Sequence, residues 1–152
     1  MASEKTTPRK KPPGYIVEKQ VGHLLRRAHQ RHCGIFAETI GRKMDKALTP
    51  VQFAALSMIQ QCESVSQNHL CRLIAMDPAT IQGVVGRLSE RGLILSTSDP
   101  EDRRRHLWCL TPSGKSLLKK LIPVASNISA ATLAPLSERE RLSFLRLLEK
   151  LS

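Results

Sequence analysis

Aromatic side chains are scarce in this chain of 152 residues, with three Phe, one Tyr and one Trp. So few rings argue against a stacking platform for single-stranded nucleic acid. Long apolar runs are missing too, so nothing approaches a membrane span. The N-terminus lacks the apolar core of a secretion signal, which makes a cytoplasmic location the default expectation. The four cysteines, at 33, 62, 71 and 109, form no close pair. That removes the usual structural-zinc spacing and leaves them, in a reducing compartment, as small buried hydrophobes. No phosphate loop, dinucleotide fingerprint or nucleophile with a placed base stands out. An enzyme is therefore not expected, and no cofactor or metal is called for. Acidic side chains are in deficit, 13 against 24 Lys and Arg, for a formal net charge of +11. The excess favours a polyanionic partner without conferring specificity.

What is present centres on residues 65–114. Ser66–Arg91 reads as a short helix, a tight turn at 75–77 and a second helix. Asp77 is a good N-cap for that second helix, and Pro78 fits its first position, where a missing N–H costs nothing. Ile81, Val84, Val85 and Leu88 recur at helical spacing and face the core. Ala79, Thr80, Gln82, Gly83 and Gly86 then look outward, with Arg87 beside them. An ordinary solvated helix would carry Glu and Lys there. This slim, polar face, nearly free of carboxylates, suits a major groove, where Gln reaches adenine and Arg reaches guanine or phosphate. Gln67, Asn68 and Arg72 fall at the outer edge of the first helix, as backbone contacts. Gly92 ends the second helix in the left-handed conformation. Leu93–Leu110 reads as a hairpin turning at Asp99–Pro100, with Asp102, Arg103, Arg104, Arg105 and His106 in its loop. Three successive arginines beside a slim helix suit a wing lying on the phosphate backbone or entering the minor groove.

Around this unit the chain is helical. Residues 1–14 form a basic, proline-containing flexible tail. From Tyr15 to about Ile40 one long helical pattern runs, with a break in its apolar spacing near His32. It is too long for a small core to use in full, so part of it is expected to pack on a partner subunit. Thr49–Pro50 and Thr111–Pro112 are matched cap-and-proline starts. The helix after Thr111 reaches about Leu133 with Pro123 inside it. Ser137 and Glu140 form a capping box before a short leucine-rich helix. That helix, the bent one and the first make a dimer interface. The expected divisions are the tail at 1–14, an N-terminal dimerisation helix at 15–45, a winged lobe at 48–110 and C-terminal dimerisation helices at 111–152.

In this order and spacing the motifs strongly resemble the MarR family of winged-helix transcriptional regulators, over roughly residues 15–151. The most specific match is Asp99-Pro100-Glu101-Asp102-Arg103-Arg104, followed by Leu110-Thr111-Pro112-Ser113-Gly114. It comes one short strand after Leu88-Ser89-Glu90-Arg91-Gly92-Leu93. The start Leu48-Thr49-Pro50-Val51-Gln52-Phe53 is also typical. The resemblance implies a mainly α (α+β) fold, a winged helix-turn-helix DNA-binding lobe with long N- and C-terminal dimerisation helices. It also implies a homodimer gripping double-stranded DNA at a pseudo-palindromic site. Arg104 matches the wing arginine that enters the minor groove, and Asp102 matches its carboxylate partner, a pairing that would pre-order the guanidinium. Gly83 departs from the pattern, since many relatives carry a larger, often basic residue there.

On this reading two second helices enter successive major grooves about 34–36 Å apart. Thr80 and Gln82 read base edges, while Ser66, Gln67, Arg87, Arg103 and Arg105 lie on phosphates. The family's pocket for small aromatic or phenolic anions is expected to draw on His23, Arg27, His29, His32, Phe36, Met58 and Trp108. Other readings stay open. Cys33 is a candidate for oxidation, and His29 and His32, with Cys33 or Glu38, for zinc. A structural protein binding all duplexes alike is the rival without sequence preference.

Overall fold

The computed structural model describes residues 14–42 and 48–152. The expected tail lies outside them, apart from Gly14, as do residues 43–45 at the end of the expected N-terminal unit. The order is a 3-10 turn at Val17–Lys19, α1 (Val21–Gly41), α2 (Pro50–Cys62), β1 (Ser64–Ser66), α3 (Gln67–Ile74), α4 (Pro78–Glu90), β2 (Ile94–Ser98), β3 (His106–Leu110), α5 (Pro112–Thr132) and α6 (Glu138–Glu149). The architecture is mainly α with a small β wing and long terminal helices, as the sequence implies.

The long pattern from Tyr15 is not a single helix. Gln20 is extended and caps α1, and its side-chain amide donates to the Ile16 carbonyl at 3.0 Å. That bond holds the 3-10 turn as a separate hook. Past Gln20, α1 runs unbroken through His32 and Gly34 to Gly41.

Helix starts follow the local chemistry. Thr49 and Gln52 form a reciprocal capping box on α2, with Pro50 in its first turn. Thr111 caps α5 through the Gly114 amide at 3.0 Å, and Pro123 sits inside that helix. Ser137 and Glu140 close the box on α6, and bonds from Ser137 hold the Glu140 carboxylate below its ordinary range.

The strands form one antiparallel sheet in the order β1-β3-β2. The hairpin was expected; β1 was not, because three residues give no alternation to read. Val65 opposes Trp108, and Ile94 opposes Leu110. The core lies beneath the sheet and α4, where Leu56, Ile59, Leu70, Ile81, Leu88 and Ile94 are fully enclosed. Phe36 and Ile40 of α1, with Leu118, Leu121 and Ile128 of α5, join the same cluster. Leu93, at the root of the wing, ties α5 to the lobe, because its carbonyl accepts the Thr111 amide at 3.1 Å. At Gly114 a Cβ would stand 2.1 Å from that same carbonyl oxygen, so only glycine permits the approach.

Candidate nucleic-acid interface

Two helices joined by a tight turn build the exposed face. Ser66 caps α3 by accepting the His69 amide at 3.3 Å. The turn needs a left-handed residue, and Ala75 supplies it at φ 53°. Asp77 then caps α4, accepting the Thr80 amide at 2.8 Å and the Thr80 hydroxyl at 2.5 Å. Those two bonds hold the Asp77 carboxyl below its ordinary range. They also commit the Thr80 proton to the cap, so Thr80 offers an incoming base only acceptor lone pairs.

The inner stripe of α4 is buried at Ile81, Val84, Val85 and Leu88. Ala79, Thr80, Gln82 and Arg87 are exposed, as the spacing requires. Gly83 is half-covered because the Arg87 guanidinium folds back over it; an added Cβ would stand 3.2 Å from Arg87 Nη2. The space a larger residue would fill is thus occupied by a cation one turn on. Across the helix pair, Gln67 Nε2 donates to Gln82 Oε1 at 2.8 Å. Ser66, Gln67, Asn68, Arg72, Arg105 and His106 line one polar concavity at the junction of α3 and the wing. His106 is the member that the sequence reading did not single out.

The wing differs from expectation in its ion pairing. Asp102 Oδ1 accepts the Arg104 backbone amide at 3.0 Å, not the Arg104 guanidinium. The Asp102 carbonyl accepts the Arg105 amide at 2.8 Å. Asp99, buried at the wing's base, accepts the Glu101 amide at 2.9 Å and faces Arg105 Nη1 at 3.8 Å. In a tight turn, carboxylates reach nearby amides more easily than the end of a long side chain. Arg103 and Arg104 are exposed, with no ion pair to any of the described residues. The loop is ordered through its backbone while these two cations stay available.

The seven side chains offered for a ligand pocket do not converge. His29 and His32 line a cavity of about 330 Å³ with Leu25, Ser129, Thr132 and Phe144, between α1, the end of α5 and α6. That volume lies at the lower end of the range for small-molecule pockets. Phe36 is buried below it, its ring 6.2 Å from that of His32 and 5.9 Å from that of Phe53. Met58 and Trp108 pack on the core of the lobe, Trp108 in β3 between Val65 and Ser96. His23 contacts Arg26 Nη2 at 3.0 Å, and Arg27 is exposed; neither lines the cavity. Of the seven, only His29 and His32, three apart on one face of α1, line this cavity. Sequence spacing could not supply Ser129, Thr132 or Phe144, about a hundred residues further along the chain.

Those distant residues also fix the histidine. Thr132 Oγ1 donates to the Ile128 carbonyl at 2.8 Å, so its oxygen accepts from His32 Nδ1 at 3.1 Å. His32 Nε2 is then left as an acceptor while the ring is neutral. Burial, reinforced by the nearby His29, lowers the His32 pKa below the ordinary imidazole value. Arg31 donates to the Ala131 and Thr132 carbonyls, both at 3.1 Å, and so caps the end of α5. Cys33 Sγ lies 3.4 Å from His29 Nε2. Among the described residues no three His, Cys, Asp or Glu side chains gather as a metal site, and all four cysteines are free thiols. No helix among them is long and apolar enough to cross a membrane.

A slim capped helix, a preceding helix at its flank and an arginine-tipped hairpin define a winged helix-turn-helix DNA-binding protein. Residues 48–106 match the MarR family model. The HTH-type transcriptional repressor NicR of Pseudomonas putida is 42% identical, with 98% of this chain and 94% of that protein covered. The chain belongs to the MarR family of transcriptional regulators, which are DNA-binding homodimers and not enzymes. Its fold is similar to that of Bordetella bronchiseptica BpsR, at a TM-score of 0.84 and 40% identity, with 91% of this chain and 96% of that one covered. That structure concerns regulation of BpsR's DNA binding by 6-hydroxynicotinic acid. Streptomyces coelicolor PcaV, solved with its natural ligand, gives a TM-score of 0.80 at 28% identity, covering 92% and 96%.

Proposed function

We propose that this chain is a sequence-specific repressor, released from a pseudo-palindromic operator by a small aromatic acid. The observation that carries the effector class is the 40% identity to BpsR, whose DNA binding is regulated by 6-hydroxynicotinic acid. The cavity beside His29 and His32 supports it: imidazoles suit a carboxylate, and Leu25 and Phe144 suit a ring. A hydroxylated heteroaromatic carboxylate of that kind is the effector.

Each α4 enters a major groove, with Gln82 and Thr80 on base edges. Ser66, Asn68, Arg72, Arg87, Arg103 and Arg105 hold phosphates, Gln67 lies beside Gln82, and Arg104 enters the minor groove. Two copies pair through α1, α5 and α6, where Leu24, Leu142, Leu147 and Leu151 are exposed apolar side chains. An effector between α1, α5 and α6 would change the angle at which the two lobes are held, and with it the spacing of the α4 helices.

The test is selection of bound genomic fragments at fixed moderate salt, with and without 6-hydroxynicotinate. One recurrent palindrome, lost on adding the acid, is the expected result. Uniform recovery of all fragments would replace this reading with non-specific DNA binding. A recurrent palindrome indifferent to aromatic acids would retain the repressor and discard the effector class.

A further inference from the structure

The bond from Gln67 to Gln82 joins the two helices on the face that meets DNA. Gln67 is the first residue of α3 and is half-buried, while Gln82 stands exposed in the second turn of α4. Around Gln82 the outward positions are Ala79, Gly83 and Gly86, and Arg87 lies back over Gly83. Gln82 is therefore a long polar side chain rising from an otherwise low surface. A free glutamine there would sample many rotamers and both flips of its amide. The two flips exchange a donor for an acceptor, so they read opposite base edges.

In the structure the 2.8 Å bond takes one of these arrangements, with Gln67 presenting its Nε2 and Gln82 its Oε1. It turns Gln82 Oε1 back toward α3 and leaves one of its lone pairs, together with both Nε2 protons, for DNA. Along the major groove, A·T presents N7 and then the N6 amine, and T·A presents them in reverse order. A fixed amide at a fixed place matches one order and mismatches the other. We propose that Gln67 is a positioning residue for sequence reading: it holds the Gln82 amide in one flip and so sets which orientation of an A·T pair Gln82 prefers. The proposal rests on the reading of Gln82 as a base-contacting residue.

The test is selection of full-length protein on randomised duplexes at one salt concentration, with thermal unfolding as the check that each variant folds. Gln82→Met should flatten one position in each half-site. Gln67→Met, similar in length but without the amide, should lower discrimination at that same position about five- to tenfold and leave the others unchanged. Gln67→Glu offers only acceptors, so Gln82 turns its Nε2 inward and the preferred base at that position changes. Gln67→Lys still donates to Oε1 and should keep the wild-type preference, with tighter binding to every sequence. If Gln67→Met weakens all sequences equally while Gln82→Met flattens its position, Gln67 is a phosphate contact and the proposal falls. If Gln82→Met flattens no position, the reading of Gln82 falls first, and the proposal with it.

Discussion

The winged lobe and the terminal helices solve the burial problem in opposite ways. Every element of the lobe from α2 to β3 sends at least one side chain into a shared core, and Leu56, Leu70, Ile81 and Leu88 are wholly enclosed. α6 buries none, although it carries Leu142, Leu145, Leu147, Leu148 and Leu151 or sits beside them. Leu142 is 68% exposed, Leu151 74% and Val21 of α1 66%. A leucine-rich helix alone in water would be marginal at this length. The lobe is complete within one chain, whereas the helical ends leave apolar surface exposed. Two seams anchor α5: Leu93 with Gly114 joins its start to the lobe, and Arg31 and His32 of α1 hold its end within the terminal helices.

The contrast breaks most severely at the first seam. Gly114→Ala sets a Cβ 2.1 Å from a backbone carbonyl that cannot rotate away. It should cost about 3 kcal/mol, lowering the lobe's thermal midpoint by several degrees and loosening α5 in hydrogen exchange. A midpoint within one degree of wild type would mean that α5 shifts freely on the wing, against the tie drawn here. The ends can be broken without the lobe. Leu147→Glu combined with Leu151→Glu places charge on the apolar groove shared by α1 and α6. Dimer affinity should fall roughly hundredfold or more, read by sedimentation, while the sheet and α4 keep their protection. Loss of protection in both regions together would show that the lobe depends on the dimer.

Local signals explain which parts of this architecture were legible in the sequence. Caps at Thr49, Asp77, Thr111 and Ser137, each followed by helical spacing, marked helix starts to the residue. The outward face of α4 followed from its inner stripe. β1 was not legible, because its existence depends on pairing with β3 more than forty residues later. The wing's ion pairing was misassigned because sequence order does not show that Asp102 spends Oδ1 on an amide. Most of all, the cavity was only half legible. One helix face supplies its histidines, but its other walls come from the far end of the chain. Trp108 and Met58 pack on the core of the lobe, away from this cavity.

Within the lobe, Gly83→Ala separates stability from recognition. The helix loses a flexible glycine, which should add about 0.5–1 kcal/mol. The new methyl would stand 3.2 Å from Arg87 Nη2, and the guanidinium, at the end of a flexible side chain, swings off the helix. Denaturant unfolding should therefore report a higher midpoint while operator affinity falls a few-fold. A higher midpoint with unchanged affinity would mean that the folded-back Arg87 takes no part in docking.

The smallest effect belongs to the second seam. Burial lowers the His32 pKa, so over the window between its folded value and the ordinary imidazole value the unfolded chain binds more protons than the native one. Stability then rises with pH through that window, and below the folded pKa its loss is complete. His32 is half-buried, so solvent screening keeps the amplitude small. His32→Gln should flatten that part of the stability profile, because it removes the titrating group. A carboxylate seated in the cavity reverses the sign for binding. It favours the imidazolium, so a site that uses His32 takes up a proton with the aromatic acid, and affinity rises as pH falls toward the ordinary imidazole range. Calorimetry in buffers of different ionisation enthalpy reads that proton directly. Uptake by wild type, abolished in His32→Gln, would place the effector among the terminal helices, between α1, α5 and α6; unchanged uptake in the variant would move the anion to another cation.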